Sequence, residues 1–295
     1  MFEGEIPLPN PNEGDVLVKV HATSVMPSEF QWFPTFNARS GKTRPFPIVL
    51  GHEFSGYIES LGPNVTGFSV GEEVYGINDW FANGAQAEYC VAAATALARK
   101  PRSLDHVNAA VVPISALTAW QGLFEKAGLE RYQRVLIHGA AGGVGGFAVQ
   151  LARWRGAHVI ATSSEMDLDF IRALGADEVV DYRKTAFEQV AREVDVVFDT
   201  VGCETLDRSW TVLKEGGKLV TVATQCQTAA DQRTRDAFML VRADGAQLAH
   251  IAELIDAGEL RVFVDQYFSL SEAREAYARA QEGVRGKIAL RVTKY

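Results

Sequence analysis

The segment His138–Trp154 reads HGAAGGVGGFAVQLARW: an apolar run precedes it, glycines crowd its first half and an amphipathic pattern fills the second. Residues of these types in this order can bind the pyrophosphate of a dinucleotide. Backbone N–H groups at the start of a helix face the anion, and glycines keep side chains out of its way. On the GxGxxG spacing the three positions fall on Ala140, Gly142 and Gly145, with Gly143 and Gly146 interleaved. Gly142 would let the backbone approach the phosphates, Gly145 would let the helix pack on the strand, and Ala140 occupies the tight-turn position. Gly143 and Val144 open the helix and join the cofactor-contacting set. The alternative is a flexible turn without a ligand. A buried strand before it, a helix after it and further strand–helix units beyond it favour the nucleotide site.

Which dinucleotide is bound is decided further along the chain. Sites for NAD place an acid about twenty residues on, to bond the ribose 2′-hydroxyl. Here that region reads Thr162, Ser163, Ser164, whose hydroxyls can donate to a 2′-phosphate that a carboxylate would repel. Glu165 is the nearest acid, and the spacing Thr162-x-x-Glu165 predicts a capping box for the next helix. Tyr182, Arg183 and Lys184 offer a cationic edge for the extra phosphate; a solvated basic turn is the competing explanation for the two cations. Together these residues point to NADPH.

The elements that must position these groups fall into two regimes. Residues 14–100 alternate in strands punctuated by turns, the pattern of an antiparallel, barrel-like region. From about residue 116, apolar runs and helical patterns alternate: RVLIHG, then a helix with Val144, Phe147, Ala148 and Leu151 on one face, then HVIATS, EMDLDFIRALGA, EVVDY, a helix near Phe187, DVVFDT, a helix near Leu206, and KLVTVA. That is the spacing of a parallel sheet built from right-handed crossovers. GAQLAHIAELIDAG adds an amphipathic helix, and the tail departs from this rhythm. The fold class is therefore α/β, with a doubly wound parallel sheet and a β-rich domain. The expected domains are 1–115, 116–258 and a C-terminal return at 259–295.

The 295 residues suffice for two domains, and a formal charge of −8 argues against nucleic acid or an anionic membrane as partner. The three cysteines, Cys90, Cys203 and Cys226, are scattered, so neither a disulfide framework nor a cysteine-rich zinc lobe is expected. No signal-peptide plan opens the chain, and the charge-free stretch Val107–Phe124 carries Asn108, Pro113, Ser115, Thr118 and Gln121, which suits buried core rather than a membrane span. A cytoplasmic protein is expected.

GHEFSG at 51–56, LTAW at 117–120, HGAAGGVGGFAVQLARWRGA at 138–157, LGADEVVDYR at 174–183 and RGKIAL at 285–290 occur together and in order. On these blocks the chain resembles the medium-chain dehydrogenase/reductase superfamily, close to its zinc-independent quinone oxidoreductase branch. The resemblance implies a GroES-like catalytic domain, a Rossmann domain, a return of the C-terminus into the catalytic domain, an active cleft between them, and a homodimer. It also implies a further strand before EIPLPNPNEGDVLVKV, so that either the recorded start is late or the barrel lacks an edge strand.

Zinc enzymes of this superfamily hold the metal with a Cys, the His of GHE and a further Cys or Asp. Those positions fall here on Met26, His52 and Ile114, and neither a thioether nor an alkyl chain supplies the ligand that Zn²⁺ needs. No metal site is expected. His52 is then either a catalytic, substrate-binding histidine able to hydrogen-bond a carbonyl or a packing residue. Met26 and Trp32 are candidates for the substrate wall, with Phe33 and Phe36 beside them. The branch often carries Asn and Tyr where this chain has Met26 and Gln31. Thr118 matches a catalytic position near the nicotinamide, Asp199–Gly202 and Val222–Thr224 end strands of the Rossmann sheet, and Lys287 can return toward the cofactor or lie solvated at the surface. Without a metal Lewis acid, quinones and α,β-unsaturated carbonyls are easier acceptors than simple ketones, because hydride addition gives a delocalised anion. The expected function is a metal-free, NADPH-dependent reductase of small molecules of that class. A zinc alcohol dehydrogenase and a non-catalytic NADPH-binding sensor or structural protein are the alternatives.

Overall fold

The computed structural model describes residues 3–292; the first two and last three residues, assigned above to the catalytic domain and its C-terminal return, lie outside the described residues. Five strands come first: β1 (Asp15–Val25), β2 (Glu53–Leu61), β3 (Glu73–Ile77), β4 (Tyr89–Ala93) and β5 (Leu97–Arg99). The middle of the chain supplies β6 (Arg134–Ile137), β7 (His158–Ser163), β8 (Glu178–Asp181), β9 (Val194–Asp199) and β10 (Leu213–Thr221), and the end supplies β11 (Val264–Ser269) and β12 (Lys287–Arg291).

The chain divides into two units, one of residues 1–117 with 243–295 and one of residues 118–242. The first unit holds a seven-stranded sheet in the order β11-β12-β1-β2-β3-β5, with β4 also paired to β1. Its pairings are antiparallel except β11 with β12. Val16, Val18 and Val20, at alternate positions of β1, join Phe54, Ile58 and Val74 in one core, as the two-residue period of a strand requires.

The second unit holds a five-stranded, wholly parallel sheet in the order β10-β9-β6-β7-β8. The order reverses between β6 and β9, and ligands of such sheets bind at the carboxyl ends of the strands on either side of that reversal. Buried Val135, Leu136, Ile137 and Val196, Val197, Phe198 fill the central strands, as expected where both faces are covered. The helix Gly143–Arg155 is buried at every residue from Gly145 to Ala152 and ends on Gly156 at φ +83; Val144 stays half-exposed at its start. Near Phe187 the helix expected from the sequence is only a 3-10 turn, Phe187–Gln189.

One boundary differs from the sequence expectation. Residues 243–258 were expected in the nucleotide domain, yet the helix Gly245–Asp256 folds with the barrel-like unit. Asp244 caps it through the Gln247 N–H at 3.0 Å, and the Tyr75 hydroxyl donates to the Leu248 carbonyl at 2.6 Å. A Cβ on Gly245 would overlap the Leu97 carbonyl, so the helix start sits against β5. An amphipathic period fixes the helix but not which sheet receives its apolar face. Among the described residues, no helix is long and apolar enough to cross a membrane.

Candidate functional site

Strand β6 ends at Ile137, and the chain turns through His138–Gly142 into the helix Gly143–Arg155. The left-handed residue of this turn is Gly139, at φ +70, not the neighbouring Ala140. A Cβ on Gly139 would overlap the Thr200 hydroxyl. The GxGxxG spacing placed the tight-turn role on Ala140; the structure moves it back by one residue. Ala140 is instead fully buried beneath the helix. Gly145 packs as expected: a Cβ there would overlap the Gly139 carbonyl oxygen and lie 2.8 Å from the Ala140 Cα.

Gly142 is the N-cap, at φ −74 and ψ 173, and no side chain caps this end. The first N–H groups of a helix have no partner within it, and here they belong to Gly143, Val144 and Gly145. A Cβ on Gly142 would meet only the Gly139 carbonyl, at 3.5 Å. Open space above a glycine and uncapped amides below it form an anion cradle with a favourable helix dipole.

At the end of β7, Ser163 is buried and its Oγ has no hydrogen-bond partner. Ser164 is the N-cap of the turn Glu165–Asp167 and donates its hydroxyl to Asp167 at 2.9 Å. The capping box expected of Thr162 and Glu165 does not form, because Glu165 takes the Lys184 ammonium at 2.5 Å and the Thr162 hydroxyl lies 3.0 Å from His138. Lys184 is therefore paired, whereas Arg183 is exposed and lies over the exposed Tyr182 ring, 5.6 Å from its centroid. All three residues of the expected cationic edge are exposed, with Lys184 committed to Glu165.

The carboxyl ends of β6 and β9 meet at the reversal of strand order, where the Thr200 hydroxyl donates to the His138 carbonyl at 2.9 Å. Asp199 is fully buried and accepts from the Val201 N–H, the Gly202 N–H and the Thr221 hydroxyl, at 3.1, 3.0 and 2.7 Å. It builds the turn and has no exposed oxygen for a ligand. Val222 follows, half-buried, with its N–H bonded to the Asp199 carbonyl. Thr118 is buried on the helix Pro113–Trp120. His138 is buried between Thr162 and Ser209, and burial lowers its pKa to about 4.

In the barrel-like unit, His52 precedes β2 and is buried. Its Nδ1 lies 3.1 Å from the Asn78 amide oxygen, and the Asn78 amide nitrogen donates to the Asn83 carbonyl at 2.8 Å, which fixes the amide's orientation. Burial pushes the His52 pKa down to about 4. A neutral imidazole has one N–H, and the fixed Asn78 oxygen accepts it at Nδ1. That geometry leaves no N–H for a substrate carbonyl, so the structure favours the packing role for His52 over the donor role. Trp80 packs on the His52 ring at 5.2 Å and meets Trp32 edge-on at 5.2 Å. Both tryptophans stay partly exposed, as does Met26, which precedes the turn Pro27–Gln31.

Two buried carboxylates in this unit were not visible as site residues in the sequence. Glu29 accepts from the Gly51 N–H at 2.9 Å and from the Tyr277 hydroxyl, and burial raises its pKa to about 7. Glu53 accepts from Ser24, from the Ile114 N–H at 2.7 Å and from Lys287. Lys287, expected at the cofactor, is thus a correction: its ammonium is buried against Glu53, because a buried carboxylate and a buried ammonium are each costly without the other.

Glu29 gives a test with a defined sign. A carboxyl whose pKa is raised on folding, here from 4.5 to about 7, adds stability that is complete below the unfolded value and is lost as pH rises through the folded one. Glu29→Gln should therefore gain on the wild type by up to about 1.4 kcal/mol per pH unit between the two values, and the difference should level off above them. Thermal melts of both proteins across that range measure it, and a pH-independent difference would show that Glu29 is ionised throughout.

The zinc enzymes of the superfamily that the sequence resembles would place a metal ion here, and the residues do not fit one. Met26 and Ile114 occupy the expected ligand positions, and the Ile114 N–H is committed to Glu53. His52 directs Nδ1 at Asn78. Among the described residues no three His, Cys, Asp or Glu side chains gather as a metal site.

Comparison with known proteins agrees with this architecture. Residues 12–102 match the alcohol dehydrogenase GroES-like domain family, and residues 174–290 match the zinc-binding dehydrogenase family. A mitochondrial NAD(P)H oxidoreductase of Mus musculus is 33% identical over 96% of this chain and 82% of its own. A 2-methylene-furan-3-one reductase of Solanum lycopersicum is 32% identical over 98% of this chain and 74% of its own. The solved quinone oxidoreductase of Coxiella burnetii superposes with a TM-score of 0.88 at 31% identity, covering 98% of this chain and 93% of that one. With a GroES-like barrel, a parallel dinucleotide-type sheet and relatives of this kind along nearly its whole length, the chain belongs to the medium-chain dehydrogenase/reductase superfamily, in its quinone oxidoreductase-like branch, and is an oxidoreductase.

Proposed function

We propose that the chain is a metal-free, NADPH-dependent reductase that delivers hydride to quinones or α,β-unsaturated carbonyl compounds. The observation that carries the cofactor assignment is the uncapped helix end at Gly142, open above and lined by the N–H groups of Gly143, Val144 and Gly145. These groups would hold the pyrophosphate. The unpartnered Ser163 hydroxyl and the exposed Tyr182–Arg183 pair support a 2′-phosphate. Of the acids beside Ser163, Glu165 is tied to Lys184 and Asp167 to Ser164, while Asp181, its neighbour on β8, is buried and accepts from the Arg183 N–H.

When bound, the reduced nicotinamide supplies the hydride. The chain's own residues bind and orient. Trp32 and Trp80 offer an aromatic wall for a flat acceptor, and the neutral His52 that Trp80 covers carries no charge to it. Met26 and Ile114 supply neither thiolate nor carboxylate, so charge developing on the acceptor must be delocalised by the acceptor itself, which favours quinones and enones over simple ketones. The quinone oxidoreductase and furanone reductase names of similar proteins support the same substrate class.

Oxidation of NADPH, with NADH in parallel, against a panel of quinones and enones tests this function. Turnover is expected with NADPH, and Arg183→Ala should raise its KM about fivefold, roughly 1 kcal/mol, while leaving NADH unchanged. Equal KM changes for both cofactors would remove Arg183 from the 2′-phosphate. Tight NADPH binding with no turnover on any acceptor would favour a sensor, and activity that requires added zinc would overturn the metal-free assignment.

A further inference from the structure

Trp32 and Trp80 stand outside the strands of their unit, and one buried arginine ties together the two segments that carry them. The Arg44 Nη1 donates to the Pro34 carbonyl at 3.2 Å and the Thr35 carbonyl at 3.3 Å. Its Nη2 donates to the Ala82 carbonyl at 2.9 Å and the Asn83 side-chain oxygen at 3.1 Å, and its backbone N–H donates to the Phe36 carbonyl at 2.8 Å. Pro34, Thr35 and Phe36 end the short helix Phe33–Phe36, whose N-cap is Trp32. The last carbonyls of a helix have no partner within it, and here Arg44 supplies three of them. Ala82 closes a turn around Trp80, with its N–H on the Asp79 carbonyl at 3.0 Å. A single planar guanidinium therefore spans from the helix that starts at Trp32 to the turn that holds Trp80.

The same bonds run on to His52. The Asn83 carbonyl accepts from the Asn78 amide, whose oxygen faces His52, the ring on which Trp80 packs. A second link, Arg39 with Asp79 at 2.7 Å, joins the two segments at the surface; both partners are exposed, so solvent screens it. We propose that Arg44 is the positioning residue of the acceptor site: it holds Trp32 edge-on to Trp80, and the corner so formed selects fused, planar acceptors over small acyclic enones.

The two indoles cross at 89° with their centroids 5.2 Å apart, and both stay partly exposed. A fused bicyclic ring can lie on one indole and meet the other, whereas a short enone touches one of them at a time. Stacked or edge-on contacts of this kind depend on how the rings are placed. Arg44 spends both Nη groups on the protein and acts only through the tryptophans. Lysine cannot replace it, because one ammonium presents its donors from a single point and cannot hold two pairs of acceptors in one plane. The selectivity rests on the acceptor class proposed above; the clamp itself does not.

Full-length wild type and Arg44→Lys, assayed with menadione (a bicyclic quinone) and with methyl vinyl ketone (a small enone), test the assignment. The ratio of kcat/KM for menadione to that for the enone should fall about fivefold in Arg44→Lys, chiefly through the menadione KM. Trp32→Leu should lower the same ratio, and adding Arg44→Lys to it should change little more, since residues that act as a unit are not additive. Asn83→Ala removes one acceptor from the guanidinium and should move the ratio the same way by less, which keeps the test open if Arg44→Lys folds poorly. An equal loss with both acceptors, or full additivity with Trp32→Leu, would leave Arg44 a structural residue only. Hydrogen exchange over residues 32–36 and 79–83 should quicken in Arg44→Lys, and unchanged exchange would overturn the clamp. If the wild type reduces neither acceptor, the proposed function fails, and calorimetric titration with menadione decides the corner by itself. Binding about fivefold weaker in Arg44→Lys than in the wild type supports it; equal binding, or none to the wild type, overturns it.

Discussion

Replacing Lys287 by methionine is expected to destabilise the barrel-like unit by about 3–5 kcal/mol and to leave dinucleotide affinity unchanged. Glu53 is fully buried, and with the ammonium gone only the Ser24 hydroxyl and the Ile114 N–H remain to it. Two neutral donors do not compensate a buried charge. At roughly 2–4 °C per kcal/mol for a unit of this size, the melting temperature should fall by about 10 °C. The double variant Glu53→Gln with Lys287→Met removes both charges and should recover at least half of the loss. A thermal melt of the three proteins measures the first claim, and titration with NADPH measures the second. A tenfold weaker affinity with an unchanged melt would return Lys287 to the cofactor site.

The second large effect separates binding from folding. Gly142→Asp should weaken dinucleotide binding by at least about a hundredfold, some 2.7 kcal/mol, while the protein melts no lower than the wild type. Gly142 already has the dihedral angles of an N-cap, and a Cβ there meets nothing closer than 3.5 Å. Aspartate is among the best N-cap residues, so the helix gains stability. Its carboxylate would take the same N–H groups that the phosphates need, and would repel the phosphates. Gly145→Ala provides the contrast. The added methyl meets backbone atoms of Gly139 and Ala140 that cannot rotate aside, and overpacking of that kind costs about 1–3 kcal/mol. That variant should melt lower. A Gly142→Asp protein that still binds NADPH normally would refute the cradle.

Much of this protein was legible locally. The strand–helix rhythm after residue 116, the glycine turn and the absence of zinc ligands at Met26 and Ile114 all rest on residue types within short windows. What misled were contacts that short windows cannot contain. Only the tight-turn position was matched one residue late, at Ala140, because a pattern of letters does not report φ, and only the backbone reveals Gly139 as the left-handed residue. Glu165 has the spacing of a capping box but found a stronger partner in Lys184 across the turn after β8. The helix Gly245–Asp256 was predicted correctly as a helix and assigned to the other unit.

By itself, then, the sequence determined the periodicities, the turn chemistry and the list of groups able to do chemistry. Each follows from interactions between residues a few positions apart, whose geometry the backbone fixes. The tertiary structure alone decided who meets whom. Lys287 and Glu53 are 234 positions apart and Tyr277 and Glu29 are 248 apart, and His52 finds Asn78 only because β2 and β3 pair. Burial then decides what these groups can do. It makes His52 a neutral ring whose one N–H faces the protein, and it turns Lys287 from an expected cofactor ligand into the counter-ion of a buried carboxylate. Desolvation depends on everything that packs around a group, and no local stretch of sequence records that.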